Sequence, residues 1–150
     1  MGLDMYLHAK RYLWSFSNEG DDKTIAKGIQ TVANIPDDFE VQEIKIKAGY
    51  WRKANQIHRW FVQNVQDGKD DCGYYDVSRQ DLIDIRDLCK KVIENKDLAP
   101  IELPTESGFF FGSKEYDDWY YQDLAETIEI IDKALTLNQS QWDFEYHSSW

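Results

Sequence analysis

QWDFEYH, residues 141–147, sets Trp142, Phe144 and Tyr146 against Asp143, Glu145 and His147 in strict alternation. A repeat of two is the mark of a strand with one buried face. LDMYLH at 3–8 has the same repeat, with Leu3, Met5 and Leu7 against Asp4, Tyr6 and His8. The two ends of the chain therefore read as strands, and chain ends often lie close together. Between them the repeat lengthens to the helical one. The expected fold class is α+β: one domain over 1–150, with about four helices packed on a small, mostly antiparallel sheet that includes the N- and C-terminal strands.

Inward from the N-terminal strand, SNEGDD at 17–22 marks a turn and residues 22–33 a short, weak helix that Pro36 closes. A second strand is expected over 39–48, where Val41, Ile44 and Ile46 alternate imperfectly. WRKANQIHRWFVQNV at 51–65 gathers Trp51, Ala54, Ile57, His58, Phe61, Val62 and Val65 on one side of a helix, with Arg52, Gln56, Arg59 and Gln63 on the other. DGKDDCG at 67–73 is a turn cluster and YYDV at 74–77 a short strand. Ser78, three residues before Asp81, is suited to cap a helix over 79–95 whose stripe is Leu82, Ile85, Leu88, Cys89, Val92 and Ile93. Residues 98–108 read as a loop, and Ser113 as the cap of a last helix over 114–137.

Of the 150 residues, 42% are hydrophobic, enough for a core, while the net charge is -11. That charge disfavours nucleic acid and anionic lipid as direct ligands. It is also unevenly placed. Residues 1–66 hold eight acids and nine bases, 67–96 eight and six, and 97–150 twelve and two, so net charges of +1, -2 and -10 sum to -11. The opening MGLDMYLHAKRYLW lacks the apolar run of a signal peptide, and no stretch nears the ~20 apolar residues of a membrane span. Cys72 and Cys89 lack metal spacing and are expected as reduced thiols.

No nucleophile elbow, phosphate loop or dinucleotide fingerprint is present. No metal and no cofactor is expected: His8, His58 and His147 have no ligand spacing, and DGKDDCGYYD fails the order of a calcium loop. His58, on the apolar side of its helix, is the candidate general base, with Asn55 beside it and Asp123 as its carboxylate. Arg52, Lys53 and Arg59, interleaved with Trp51 and Trp60, are the candidate nucleotide-binding cations. On the last helix Asp118, Glu126, Glu129 and Asp132 are the candidate partner-binding carboxylates, interrupted by Ala125, with Tyr121 as an aromatic anchor.

MGLDMYL at the start, GYWRKANQIHRWF at 49–61, DDCGYYDVS at 70–78, and LPTESGFFFGS at 103–113 followed by EYDDWYYQDL resemble a family of small phage and prophage proteins. The resemblance implies a mobile-element origin and a bacterial cytoplasm, and carries over no activity and no site. With the charge map it leads to a non-enzymatic inhibitor whose acidic face occupies a basic, nucleic-acid-handling host protein, as an anti-CRISPR or other anti-defence protein or a DNA mimic does. The rival expectations are a small hydrolase or nucleotide-modifying enzyme built on His58, a sponge for a nucleotide signal, and an oligomerising module.

Overall fold

A computed structural model of the chain describes residues 2–14 and 20–150. Four strands form an antiparallel sheet in the order β2-β1-β4-β3, from β1 (Asp4–Tyr12), β2 (Glu43–Arg52), β3 (Tyr74–Val77) and β4 (Asp143–Ser149). The terminal strands are central neighbours: Asp4 faces Ser149, Leu7 faces Tyr146 and Lys10 faces Asp143. The α+β expectation holds, and the alternation of β1 is an alternation of burial, while β4 departs from it at Glu145, which is buried on the opposite face. Met5, Leu7 and Ala9 of β1 and Phe144 and Tyr146 of β4 are enclosed on one face. Tyr6, His8, Lys10 and His147 stand on the other, where Glu145 is held between Lys10 and Lys45.

The helices are α1 (Asp22–Val32), α2 (Asn55–Asn64), α3 (Arg79–Glu94), α4 (Ala99–Glu102) and α5 (Asp118–Ala134). Ser78 caps α3 as its spacing predicts: its hydroxyl accepts from the Asp81 amide, and the Asp81 carboxylate accepts from the Ser78 amide at 2.9 Å. Helices α2, α3 and α5 bury their apolar stripes in one core with the inner sheet face. β2 and α5 come close enough that any side chain at Gly49 would overlap Ile130. No helix of the described residues is long and apolar enough to cross a membrane.

Several boundaries differ from the sequence reading, among them the end of β1, which runs on to Tyr12, and the end of α5, at Ala134 rather than 137. β2 begins later and continues through Gly49–Arg52, so Trp51 belongs to a strand and α2 starts only at Asn55. The pairing shows why: a bulge at Leu7/His8 leaves Ala48 unmatched and turns Trp51 inward, where its indole N–H donates to the Thr127 hydroxyl at 2.9 Å. Gln56, assigned to the solvent side of the helix, is buried. α5 starts at Asp118 rather than near 114, because Asp117, not Ser113, accepts the Tyr120 amide at 3.1 Å. Within the expected loop 98–108, Pro100 sits in the first turn of the four-residue α4. Residues 17–19 of the expected turn lie outside the described residues.

Candidate functional site

Where β2 ends and α2 begins, Lys53 takes a left-handed backbone, φ 60°, which costs a residue with a side chain of the order of 1–2 kcal/mol. Its amide donates to the Leu3 carbonyl at 2.8 Å and its carbonyl accepts from the Asn55 amide at 2.9 Å. That kink delivers Asn55 into the core, 1% exposed, as a post for the loop that precedes α5. The Asn55 amide group donates to the Phe111 and Ser113 carbonyls, at 3.0 and 2.9 Å, and its oxygen accepts from the Glu106 amide at 2.9 Å. The Leu3 amide adds a bond to the Phe110 carbonyl at 3.0 Å. The stretches MGLDMYL, GYWRKANQIHRWF and LPTESGFFFGS are thus tied together here by backbone and amide bonds.

The loop so pinned forms one wall of a cavity of about 440 Å³, and α2 the other. His58 lies at its floor, 1% exposed. The Tyr146 hydroxyl is 2.8 Å from Nδ1, and the Asp70 carboxylate 3.1 Å from Nε2. Asp70 lies off the line of that nitrogen, so Nε2 is buried without a hydrogen-bond partner. Burial pushes the Tyr146 phenol well above its ordinary value, so it stays a hydroxyl and is able to donate to Nδ1. A carboxylate only accepts, so the arrangement that suits both neighbours has a proton on Nε2 and Nδ1 accepting from the Tyr146 hydroxyl. Tyr146 is fixed by stacking on Phe61, 4.1 Å between centroids, and Phe111 meets the imidazole edge-on at 5.3 Å.

Asp70 reaches this position through a tightly wound turn, with positive φ at Asp67, Gly68 and Cys72. Its carboxylate also accepts the indole N–H of Trp150 at 3.0 Å. At the mouth, the Arg59 guanidinium bonds Glu106 at 2.9 Å and Gln63 at 3.1 Å. Phe109, 96% exposed, and Phe110 continue the aromatic wall. Volumes of about 300–1,000 Å³, mainly apolar with a few polar groups, are those of small-molecule sites.

The sequence candidates divide among three places. His58 faces the cavity, and Asn55 holds the cavity's wall rather than lining it. Asp123, expected as the carboxylate of His58, instead accepts from Gln56 at 3.1 Å in a separate hollow of about 280 Å³. Arg52 and Lys53 line that hollow while Arg59 stands at the His58 cavity, so the three cations do not act on one ligand. Asp118, Glu126 and Glu129 are exposed along α5. Asp132 is paired with Arg86 at 3.2 Å, and the Tyr121 ring is covered by the Lys96 ammonium at 4.4 Å, whereas Trp119 is 77% exposed. No group of three metal-ligating side chains occurs among the described residues. His147 and His8 lie on the outer sheet face, opposite the core that holds His58.

Sequence reasoning missed Asp70 and Tyr146 as the neighbours of His58, and Trp150 as the partner of Asp70. The inward alternation of β4 already pointed Tyr146 at the core, but Asp70 sat among like residues of a turn cluster with nothing to single it out. Comparison with known families, with curated proteins and with solved structures finds no match.

Proposed function

We propose that the protein captures a small ligand in the cavity above His58 and holds it without converting it, as a phage-encoded anti-defence protein in a bacterial cytoplasm. The observation that carries this reading is the buried Nε2 of His58, without a hydrogen-bond partner at the floor of a 440 Å³ cavity. Leaving a buried donor unpaired costs about 1–3 kcal/mol, which a ligand reaching it recovers. Nδ1 is held by the Tyr146 hydroxyl and the ring is enclosed, which suits a fixed hydrogen bond better than proton shuttling. The test exposes the folded protein to a mixture of neutral and charged ring compounds and measures what is retained and its chemical identity. Saturable one-to-one retention of an unaltered compound is the expected result. A converted compound supports the rival enzyme built on His58, and no retention contradicts capture.

A second reading, the inhibitor with an acidic docking face, is favoured by Trp119. An exposed Trp beside Gln122 and Glu126, one and two turns on along α5, is the kind of aromatic anchor that dominates protein interfaces. Asp118, Glu126 and Glu129 would then face a basic, nucleic-acid-handling host protein. Reversing these three charges is expected to weaken such a complex at least tenfold and to flatten its salt dependence, read by titration at several ionic strengths. Unchanged binding, or self-association in place of a host partner on size-exclusion chromatography, overturns this second reading.

A further inference from the structure

We propose that the ligand of the His58 cavity is a neutral nucleobase, taken as the base or nucleoside rather than as a nucleotide; this rests on the capture reading. Three features select it. The first is the polar floor. With the Tyr146 hydroxyl donating to Nδ1, His58 presents Nε2–H, and the Asp70 carboxylate 3.1 Å away presents an acceptor beside it. A donor next to an acceptor matches a ring edge that carries an acceptor next to an N–H, as the hydrogen-bonding edges of the nucleobases do. Asp70 has capacity for this, since Trp150 bonds Oδ1 and the second oxygen has no hydrogen-bond partner among the described residues.

The second is the wall. Phe109 and Trp150 keep ring surface open to solvent at the cavity, and aromatic faces stack on bases with little regard to sequence. The third is the charge. Asp70 and Glu106 outnumber Arg59, whose guanidinium is already engaged by Glu106 and Gln63. A phosphate would meet two carboxylates and one spoken-for cation, on a protein of net charge -11. The sequence assigned the cations to a nucleotide, and the arrangement of the cavity assigns them away from its phosphates.

Calorimetry with the four ribonucleosides, their 5′-monophosphates, indole and choline tests the assignment. At least one nucleoside is expected to bind one-to-one, at least tenfold tighter than its own monophosphate. Indole has a donor and no ring acceptor, and choline offers the aromatic wall a cation without an edge, so both are expected to bind more weakly. Asp70→Asn keeps an oxygen for Trp150 and is expected to fold with an unchanged melting temperature and lose at least tenfold in nucleoside affinity. Indole or choline binding as tightly as the best nucleoside overturns the base assignment and leaves capture standing. A monophosphate at parity overturns the neutral-ligand argument, and unchanged affinity in Asp70→Asn overturns the polar floor. Silence from the whole panel overturns the nucleobase, and capture falls with it only when the mixed-compound retention also gives nothing.

Discussion

Asp123 occupies the interior side of α5, where burial pushes its carboxyl up to about 6 against the opposing bond from Gln56. An acid raised on folding favours its neutral form. Its contribution to stability is complete below the ordinary value of 3.8 and is lost as pH rises through about 6. Relative to Asp123→Asn, where Gln56 still has an oxygen to donate to, the melting temperature is therefore expected to fall from pH 4 to pH 6.5. At pH 7 that variant is expected to melt roughly 2–6 °C higher. Thermal unfolding followed by circular dichroism at several pH values checks both, and identical slopes in the two proteins contradict the assignment. The same residue shows what a helical repeat conveys: Asp123 was legibly on the inward side of its helix, but not which side chain would meet it. Distance along the chain hides that Gln56 and not His58 is the neighbour.

Among the elements, the terminal strands and α3 were the most legible, because each carries its own signals. β1 alternates cleanly and β4 alternates apolar and polar residues as far as His147, and α3 joins a capping box to an unbroken apolar stripe. Replacing Ser78 with Ala removes the acceptor for the Asp81 amide and the counterpart of its carboxylate. A loss of about 1 kcal/mol is expected in urea unfolding, and a loss below a few tenths would mean that tertiary packing alone holds the start of α3. The β2–α2 junction was the least legible. Trp51 to His58 satisfy a helical repeat, yet the first two residues belong to the sheet, and what divides the run is a bulge opposite Leu7 and the left-handed Lys53. Both depend on partners distant in sequence. The start of α5 failed for a local reason: Ser113 and Asp117 are both good caps, and nothing in the sequence ranks them.

On the scale of the whole molecule, the charge map places most of the excess in residues 97–150, and the fold distributes it. Glu145 is neutralised between Lys10 and Lys45 on the outer sheet face, Asp132 by Arg86, Glu102 by Lys91 and Glu106 by Arg59, while Asp118, Glu126 and Glu129 stay exposed on α5. The acidic total thus overstates the acidic face. His58 was singled out by its place on an apolar stripe, and a cavity does stand beside it. The neighbours of His58, Asp70 and Tyr146, and the Trp150 that bonds Asp70 come from a turn and the C-terminal segment that only the folded sheet brings to α2. The decisive measurement is nuclear magnetic resonance of the His58 imidazole and the Trp150 indole N–H during titration with the four ribonucleosides and indole. A nucleobase held above His58 requires that at least one of the four nucleosides moves both signals in a saturable way. If none of them moves either signal, the cavity does not hold a nucleobase and that central assignment is contradicted.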